Sequence, residues 1–424
     1  MAVVSDILFM GTSTAVRLVS GLLTFVILAR LLGLEPFGIL MLWLSIATLL
    51  ATVANYGFTT YLLREIGHSP GAAGTVVNEV FASKVLLSAV ILAGALCAIP
   101  FLPSETRWVF LLLLLAMLLD STSDFLNVGY RVTNRFSAET RMATVASVSQ
   151  FVIVAGAVTY QTSVLMAAFG LLASRCLVLL MTWSNQRQYF SALRPAPLHR
   201  AVYRLKHGGH YAIDFGLQGL IGQIDSVVLN YFLGPVAVGL HQAGMRVFLG
   251  GSQIAKVLGN VFIPRVSRAM GRTAEIQHIA ERVETVFFGS GAAVGLLLAI
   301  TAKPLVQLLF GENFMALAHL MPWFGLLFFV RFVASGFGLL LTAAGKQALR
   351  AKVNLGHWIV ILISAAVLVP RFGNLGWIWA LTIGNLMLAL IYFRAIQPVV
   401  SLSRLNAGLA LLCPLAFIPF VQVH

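Results

Sequence analysis

The chain has 424 residues, of which 59% are hydrophobic and only 10% are charged, and its formal net charge is +14. Its mean hydropathy is +0.92. Soluble domains carry about 25% charged residues, so this composition excludes an ordinary water-soluble fold. The three cysteines, Cys97, Cys176 and Cys413, lie far apart in apolar segments, which argues against a disulfide framework and against a metal site.

Apolar stretches of roughly 20 residues recur along the chain, which is the length that a helix needs to cross a bilayer. Unbroken apolar runs such as residues 109–119 do not fit the alternation of a membrane β-barrel. The sequence therefore predicts an all-α polytopic membrane protein. Its twelve predicted spans are residues 7–29, 39–60, 78–99, 108–128, 141–161, 163–184, 208–232, 241–263, 280–302, 319–342, 351–369 and 376–398. Residues 405–422 contain Pro414 and Pro419 and are either a thirteenth span or an interfacial segment.

Basic residues are distributed unequally between the two sides of the membrane. Counted with up to five residues at the ends of the adjoining spans, one set of alternate loops holds eighteen Lys and Arg residues, and the opposite set holds four. By the positive-inside rule, the richer loops and the N-terminus are predicted to be cytoplasmic. Because this topological role accounts for the positive net charge, the charge does not indicate nucleic-acid binding.

The longest connection, from about residue 185 to residue 207, separates six predicted spans from six. We therefore predict an N-terminal lobe, a cytoplasmic linker, a C-terminal lobe and a terminal hydrophobic segment, at residues 1–190, 191–207, 208–400 and 401–424. The spacing of Gly33 and Gly38 recurs 201 residues later at Gly234 and Gly239. Each half has an even number of spans, so both enter the membrane in the same direction, as in transporters built from parallel repeats.

Five short stretches resemble the Wzx-type polysaccharide flippases of the multidrug and oligosaccharidyl-lipid exporter superfamily. They are residues 29–38 (ARLLGLEPFG), 62–66 (LLREI), 223–234 (QIDSVVLNYFLG), 262–267 (FIPRVS) and 308–313 (LLFGEN). Each is weak alone, and their order relative to the spans makes the resemblance specific.

The resemblance implies two six-helix lobes around a central cavity, alternating access and a location in the bacterial inner membrane. It implies an undecaprenyl-diphosphate-linked oligosaccharide as cargo, namely an O-antigen, capsule or exopolysaccharide unit. It also implies membrane lipids and the polymerase and glycosyltransferases of the same pathway as partners. One departure is Asn55, where relatives often carry an acidic residue before the glycine that is Gly57 here. This puts ion coupling through such a carboxylate in doubt.

Charged side chains inside the spans are the candidates for function, because a charge near the centre of a membrane helix costs at least about 2.5 kcal/mol. Each needs a partner, a water-filled cavity or a functional reason. The basic residues at such depth are Arg17, Lys84, Arg175, Arg246, Lys256 and Arg331.

Several of these residues share a helix face with small or polar side chains. Arg17 lies on one face with Ser13, Ser20, Gly21 and Thr24, and Arg331 is followed by Ser335, Gly338 and Thr342. Arg246, Gln253 and Asn260 lie within about 40° of one another, and Lys256 lies about 60° from Gln253. Such faces are typical of a cavity wall or of polar contacts between helices.

A diphosphate requires concentrated positive charge, which arginine supplies through paired hydrogen bonds and lysine as a compact ammonium. We therefore predict a cationic cavity whose candidate binding residues are Arg17, Lys84, Arg246, Lys256 and Arg331. For two cations, structural roles are also open. Arg175 lies at the depth of Asp120, which favours an ion pair, and Lys84 is close enough to a cytoplasmic end to reach the interface.

Two acids inside the seventh span are candidate coupling or gating residues. Asp214 and Asp225 lie eleven residues apart, which places them about 20° apart around a helix. Asp225 and Arg246 are also about equally far from the short loop that joins their spans. A pair between them would be either a structural latch or a switch that opens when cargo competes for the arginine.

Three alternatives to the flippase remain open. A lipid II flippase differs from the first interpretation in its cargo. A MATE-like multidrug cation exporter would favour a buried carboxylate in the first lobe, whereas the first span offers Arg17 and no buried acid. A membrane polysaccharide polymerase or ligase normally needs a sizeable outer domain, whereas most outer loops here are under about 20 residues. The sequence also shows no acidic pair, glycine-rich phosphate loop or Ser-His-Asp set placed for catalysis. We therefore predict a transporter that is not an enzyme and that uses no cofactor.

Overall fold

In the computed structural model, the described residues are 2–68, 73–133, 135–190, 196–270, 273–398 and 400. Within these ranges the regular elements are α-helices and short 3-10 helices, which confirms the predicted all-α class. The α-helices are α1 (Ala2–Leu32), α2 (Leu34–Asn55), α3 (Phe58–His68), α4 (Ala73–Ala98), α5 (Arg107–Leu126), α6 (Val128–Val132), α7 (Phe136–Tyr160), α8 (Val164–Phe190), α9 (Leu198–Ile221), α10 (Ile224–Leu233), α11 (Pro235–Ala269), α12 (Thr273–Ile300), α13 (Ala302–Phe310), α14 (Ala316–Ala343) and α15 (Gln347–Ile396). The segment 405–422 lies outside the described residues.

The described part contains ten helical segments that are long and apolar enough to cross a membrane, and the last of them, α15, contains two predicted spans. Gly373, with φ 59° and ψ −138°, interrupts α15 between them. The Tyr392 hydroxyl donates to Oδ1 of Asn354 at 3.0 Å, and Nζ of Lys346 donates to the carbonyl of Ala395 at 2.9 Å. The two halves of α15 therefore lie antiparallel, as the predicted spans 351–369 and 376–398 require.

The prediction of one continuous helix over residues 208–232 is wrong, because a turn at Gly222 and Gln223 separates α9 from α10. Glycines lower the helix propensity of this segment. One of them, Gly219, permits a close approach to α2, since a Cβ atom there would lie 2.4 Å from Cγ2 of Thr52. The sequence signal for a span was apolar content alone, which does not register such a break.

The glycine spacing that recurs in the two halves corresponds to the same local turn in each. Gly33 has φ 82° and ψ 177° immediately before α2, and Gly234 has φ 83° and ψ −178° immediately before α11. This conformation strongly favours glycine, because a side chain would be strained there. Gly311 adopts it as well, before a 3-10 helix, so the turn is a general device for linking helices in this chain.

The chain divides into two compact units, Met1–Asn230 and Tyr231–His424. In the first unit, α9 packs on α2, α3 and α4. The second unit is built around α14, which packs on α11, α12, α13 and α15. The predicted lobe boundaries at residues 190 and 208 remain a prediction about the transporting halves.

Candidate functional site

Arg331 interrupts the otherwise buried surface of α14. From residue 321 to residue 341, every residue is buried or half-buried except Arg331, which is exposed. Its neighbours Val330 and Phe332 are both buried. A central helix that contacts four other helices thus leaves one side chain accessible, and that side chain is an arginine.

Arg331 lines a cavity of about 330 Å³ inside the second unit. α11 contributes Lys256 to the wall, and the first turn of α15 contributes Arg350. The remaining lining residues are Ser252, Ala255, Gly259, Ile263, Phe287, Phe332, Ser335, Leu339 and Thr342. No carboxylate lines the cavity, and among the described residues none of the three cations forms an ion pair. The cavity therefore concentrates positive charge and hydroxyl groups between membrane helices.

Close helix packing holds Arg331 in position. Its guanidinium carbon lies 5.9 Å from the ring centroid of Phe248 on α11, within the range of a cation–π contact. Gly251, one turn further along α11, lies against Phe328 of α14, and a Cβ atom there would be 2.8 Å from the Phe328 ring. α11 therefore approaches α14 closely enough to form one wall of the cavity with it.

Arg350 is the cavity residue that the sequence analysis missed, because it falls in a basic loop that was assigned to topology. Its Nη1 donates a hydrogen bond to Oγ1 of Thr342, the last polar residue on the face that begins at Arg331. Its guanidinium carbon lies 5.9 Å from the ring of Tyr392. Gly338 leaves room for both side chains, since a Cβ atom there would lie 3.2 Å from Tyr392 and 3.6 Å from Arg350. In the sequence, the polar face of α14 was thus the feature that could have indicated a further cation near the C-terminal end of this helix.

Arg246 lies apart from this cavity on the same helix. It is half-buried and lies about 80° around α11 from Lys256. The cavity is therefore lined by the face that carries Lys256 and not by the face that Arg246 shares with Gln253 and Asn260. Asp225 accepts a hydrogen bond from the backbone N–H of Ser226 at 2.7 Å. The side chain of Asp214 lies outside the described residues. The proposed coupling or gating role of the two acids remains a prediction.

Arg17 is exposed on α1, whereas the polar neighbours Ser13, Ser20 and Thr24 are buried. The small polar stripe therefore serves helix packing. Among the described residues, Arg17 belongs to the lining neither of the cavity in the second unit nor of the one in the first unit described next. Its role in cargo binding remains a prediction.

Two cations inside the first unit, Arg175 and Lys84, are bonded to neighbouring helices. Nη1 of Arg175 lies 3.0 Å from Oδ1 of Asp120, which confirms the predicted ion pair. Lys84 is buried, and its Nζ donates to Oγ of Ser121 at 2.6 Å instead of reaching the interface. Lys84 also lines a smaller cavity of about 240 Å³, whose other walls are mostly apolar.

A family model described as polysaccharide biosynthesis protein matches residues 3–270, which is more than half of the chain. The chain belongs to this family. The match covers four of the five stretches that carried the resemblance, and it confirms the family predicted from the sequence.

Two curated relatives of this polysaccharide biosynthesis protein match over shorter stretches. The capsular polysaccharide biosynthesis protein CapF of Staphylococcus aureus is 27% identical over 190 residues, which are 43% of this chain and 46% of CapF. The inner membrane protein YghQ of Escherichia coli K12 is 32% identical over 91 residues, which are 22% of this chain and 26% of YghQ. The matched stretches thus span less than half of either relative.

Solved structures show how widely this fold is used. The lipid II flippase MurJ in an inward closed conformation has a TM-score of 0.72 and 12% identity, covering 97% of this chain and 98% of that one. A multidrug resistance MATE transporter in an inward-facing conformation has a TM-score of 0.63 and 15% identity, covering 96% of each chain. This chain therefore shares the fold of these two solved structures, and identities this low show the fold alone.

Proposed function

We propose that this protein moves an undecaprenyl-diphosphate-linked oligosaccharide across the bacterial inner membrane by alternating access. The observation that carries the proposal is the cavity between membrane helices that is lined by Lys256, Arg331 and Arg350 and, among the described residues, by no carboxylate. Membership of a polysaccharide biosynthesis family supports a glycan cargo, here an O-antigen, capsule or exopolysaccharide unit.

The chemistry of the cavity suits a diphosphate. A diphosphate diester carries about two negative charges, and a cavity between membrane helices strengthens its attraction to cations because the local dielectric constant is low. Arg331 and Arg350 can each bind two phosphate oxygens at once, while Lys256 supplies a point charge. The same positive field repels a cationic drug, which disfavours the multidrug exporter.

The distribution of basic loops supports a cytoplasmic N-terminus, and we propose that the Arg350 end of the cavity faces the cytoplasm. The lining follows α14 from Arg331 near its middle to Thr342 at its end. In this orientation, the cations meet a cargo that is assembled on the cytoplasmic leaflet. Labelling of a cysteine at position 200 from outside intact cells would contradict the orientation.

Membrane potential supplies a driving force in this direction. An inside-negative potential of 100 mV favours outward movement of each negative charge by about 2.3 kcal/mol, hence roughly 4.6 kcal/mol for two charges. We propose that the potential contributes substantially and that proton antiport is not obligatory. A response to a pH or sodium gradient alone would instead indicate coupling, with Asp214 and Asp225 as the candidate residues.

The test is flipping in proteoliposomes that contain a lipid-linked oligosaccharide in one leaflet. We expect translocation without chemical change of the cargo, acceleration by a potassium-valinomycin potential at equal pH, and competition by undecaprenyl diphosphate. Preference for lipid II over other diphosphate-linked sugars would indicate the lipid II flippase. Transport of a drug cation, or elongation of the glycan, would instead indicate the exporter or the polymerase. Deletion of the gene should cause the lipid-linked precursor to accumulate, and co-purification would test the polymerase and glycosyltransferases as partners.

A further inference from the structure

The first half of α9 is attached to the first unit by polar contacts and by the partly buried Leu205 and Tyr211, which pack on an apolar cluster. Between residues 198 and 213, only Ala201 and Gly208 are buried. By contrast, α14 is buried along most of its length. Elements with few buried apolar contacts open at a low free-energy cost, so this segment is among the easier ones to detach.

Arg204 makes the strongest of these contacts. Its Nε donates to Oε2 of Glu79 on α4 at 2.7 Å. Its Nη1 donates to the Tyr61 hydroxyl on α3 at 2.9 Å and to Oε2 of Glu65 at 3.4 Å. The side chains of Arg204 and Glu79 are only 14% and 8% exposed. We call these four residues the Arg204 latch.

Other polar bonds lie beside the latch and join α9 to α4 and to the turn that follows α2. Oγ of Ser83 donates to the carbonyl of Ala201 at 2.9 Å, and the Tyr56 hydroxyl donates to the carbonyl of Leu205 at 3.1 Å. Each of these polar groups can bond with water if α9 moves away, whereas Leu205 and Tyr211 would lose their packing on the apolar cluster of α3 and α4. The attachment is therefore specific in geometry and can be reversed.

The guanidinium of Arg204 stays protonated within the latch. Burial alone would lower the pKa of Arg204, but its hydrogen bonds to Tyr61 and Glu79 outweigh that effect and raise the pKa. Arg204 therefore stays charged, and removing it would leave the buried carboxylate of Glu79 without its closest cation. Arg200 is a poor substitute, since its side chain is 57% exposed and its Nε lies 3.9 Å from Oε1 of Glu79.

We propose that the Arg204 latch holds the start of α9 against α3 and α4 in one state of the transport cycle and releases it in another. The proposal rests on the proposed function, because it assumes a cycle of alternating access. α9 is continuous from Leu198 to Ile221, so detachment at its first turns tilts the membrane portion that follows. The latch is thus a conformational device, separate from the cargo cavity.

Hydrogen exchange tests the mobility of this segment without any cargo. We expect Arg204→Gln to speed amide exchange in residues 198–212 by about tenfold or more, since charge-assisted hydrogen bonds are lost. Arg200→Gln is the matched control, because it removes an exposed arginine beside the same carboxylate, and exchange in α14 reports the integrity of the fold. Unchanged exchange in Arg204→Gln would overturn the latch.

A reversible cross-link tests release during transport while leaving the latch residues intact. In a cysteine-free background, Ser83→Cys and Ala201→Cys are joined by a short, cleavable thiol cross-linker. We expect flipping to fall about tenfold on cross-linking and to recover within about twofold on reduction, because a required conformational step is blocked. Flipping at the full rate in the cross-linked protein would refute the proposal.

The control cross-link joins Ala157→Cys on α7 to Gly170→Cys on α8, where a Cβ atom at Gly170 would lie 3.0 Å from Cβ of Ala157. It should leave flipping nearly unchanged; an equal loss from both cross-links would refute a specific role for the latch. If the uncross-linked protein flips no lipid-linked sugar at all, the proposed function fails. The exchange experiment still decides whether the latch controls the mobility of α9.

Discussion

Two cations of the first unit lie apart from each other, each bonded to a neighbouring helix, whereas three cations of the second unit share one cavity. In the first unit, Arg175 pairs with Asp120 at 3.0 Å and Lys84 donates to Ser121 at 2.6 Å. In the second unit, Arg331, like Lys256 and Arg350, lacks an ion pair among the described residues, and all three line one cavity. Because charge at membrane depth is costly, a single cation bonded to a neighbouring helix is explained by structure, whereas three cations that share one cavity indicate a binding site for an anion.

Among the substitutions that test this difference between the two units, Arg331→Ala should have the largest effect on flipping. Loss of two charge-assisted hydrogen bonds to phosphate should reduce flipping about 100-fold. Arg331→Lys keeps the charge and should retain intermediate activity. The measurement is the flipping rate in proteoliposomes at matched protein abundance. Arg371→Ala, which changes an exposed arginine of the same unit, is the control. Wild-type flipping by Arg331→Ala would remove the cavity from the transport pathway.

The next effect concerns stability in the first unit. Asp120→Ala leaves Arg175 without its carboxylate inside the membrane, which should cost on the order of 2 kcal/mol. We expect a lower melting temperature in detergent and less folded protein. Exchanging the two charges, with Asp120→Arg and Arg175→Asp together, should restore much of the loss. A double variant no more stable than the single one would show that the pair does not act through mutual attraction.

Much of the fold could be predicted from the sequence, because apolar length and helix period determine which segments cross the membrane. The predicted break between residues 369 and 376 is an example, since Gly373 separates two antiparallel helices there. The predicted continuous span at 208–232 failed because glycines that serve close packing also weaken a helix. Composition alone does not distinguish a segment that crosses the membrane as one helix from a segment that is broken by a turn.

The candidate site was predictable only in part. Arg331 and Lys256 were recognisable as charges at membrane depth, and the structure brings them to one cavity. Arg350 was not, because it lies in a basic loop and reaches the cavity only through the packing of α15 on α14. Arg246 shows the opposite case, a residue that was predicted to line the cavity and is not in its lining. Helical spacing shows which residues share a face, whereas tertiary packing decides which face meets the cavity.

Lys256→Ala and Arg350→Ala should each have a smaller effect than Arg331→Ala, about tenfold on cargo affinity, because Lys256 supplies a single point charge and Arg350 lies at the end of the lining. Their effects should not be additive, since the three cations share one ligand. The measurement is the concentration of undecaprenyl diphosphate that half-inhibits flipping. Strictly additive losses in the double variant would indicate that the two residues act at separate sites.

The smallest expected effect is that of Lys84→Met, which tests whether a bonded cation in the first unit is structural. Methionine retains an unbranched chain of similar shape and removes a buried charge, and such replacements are often neutral or stabilising. Ser121 can then bond to its own helix backbone, as Thr122 does to the carbonyl of Leu118 at 2.8 Å. We therefore expect flipping within about threefold of wild type and an unchanged or higher melting temperature. A loss of flipping as large as that of Arg331→Ala, in a protein of normal stability, would assign Lys84 to cargo binding, as its depth in the membrane alone predicts, and would end the contrast between the two units.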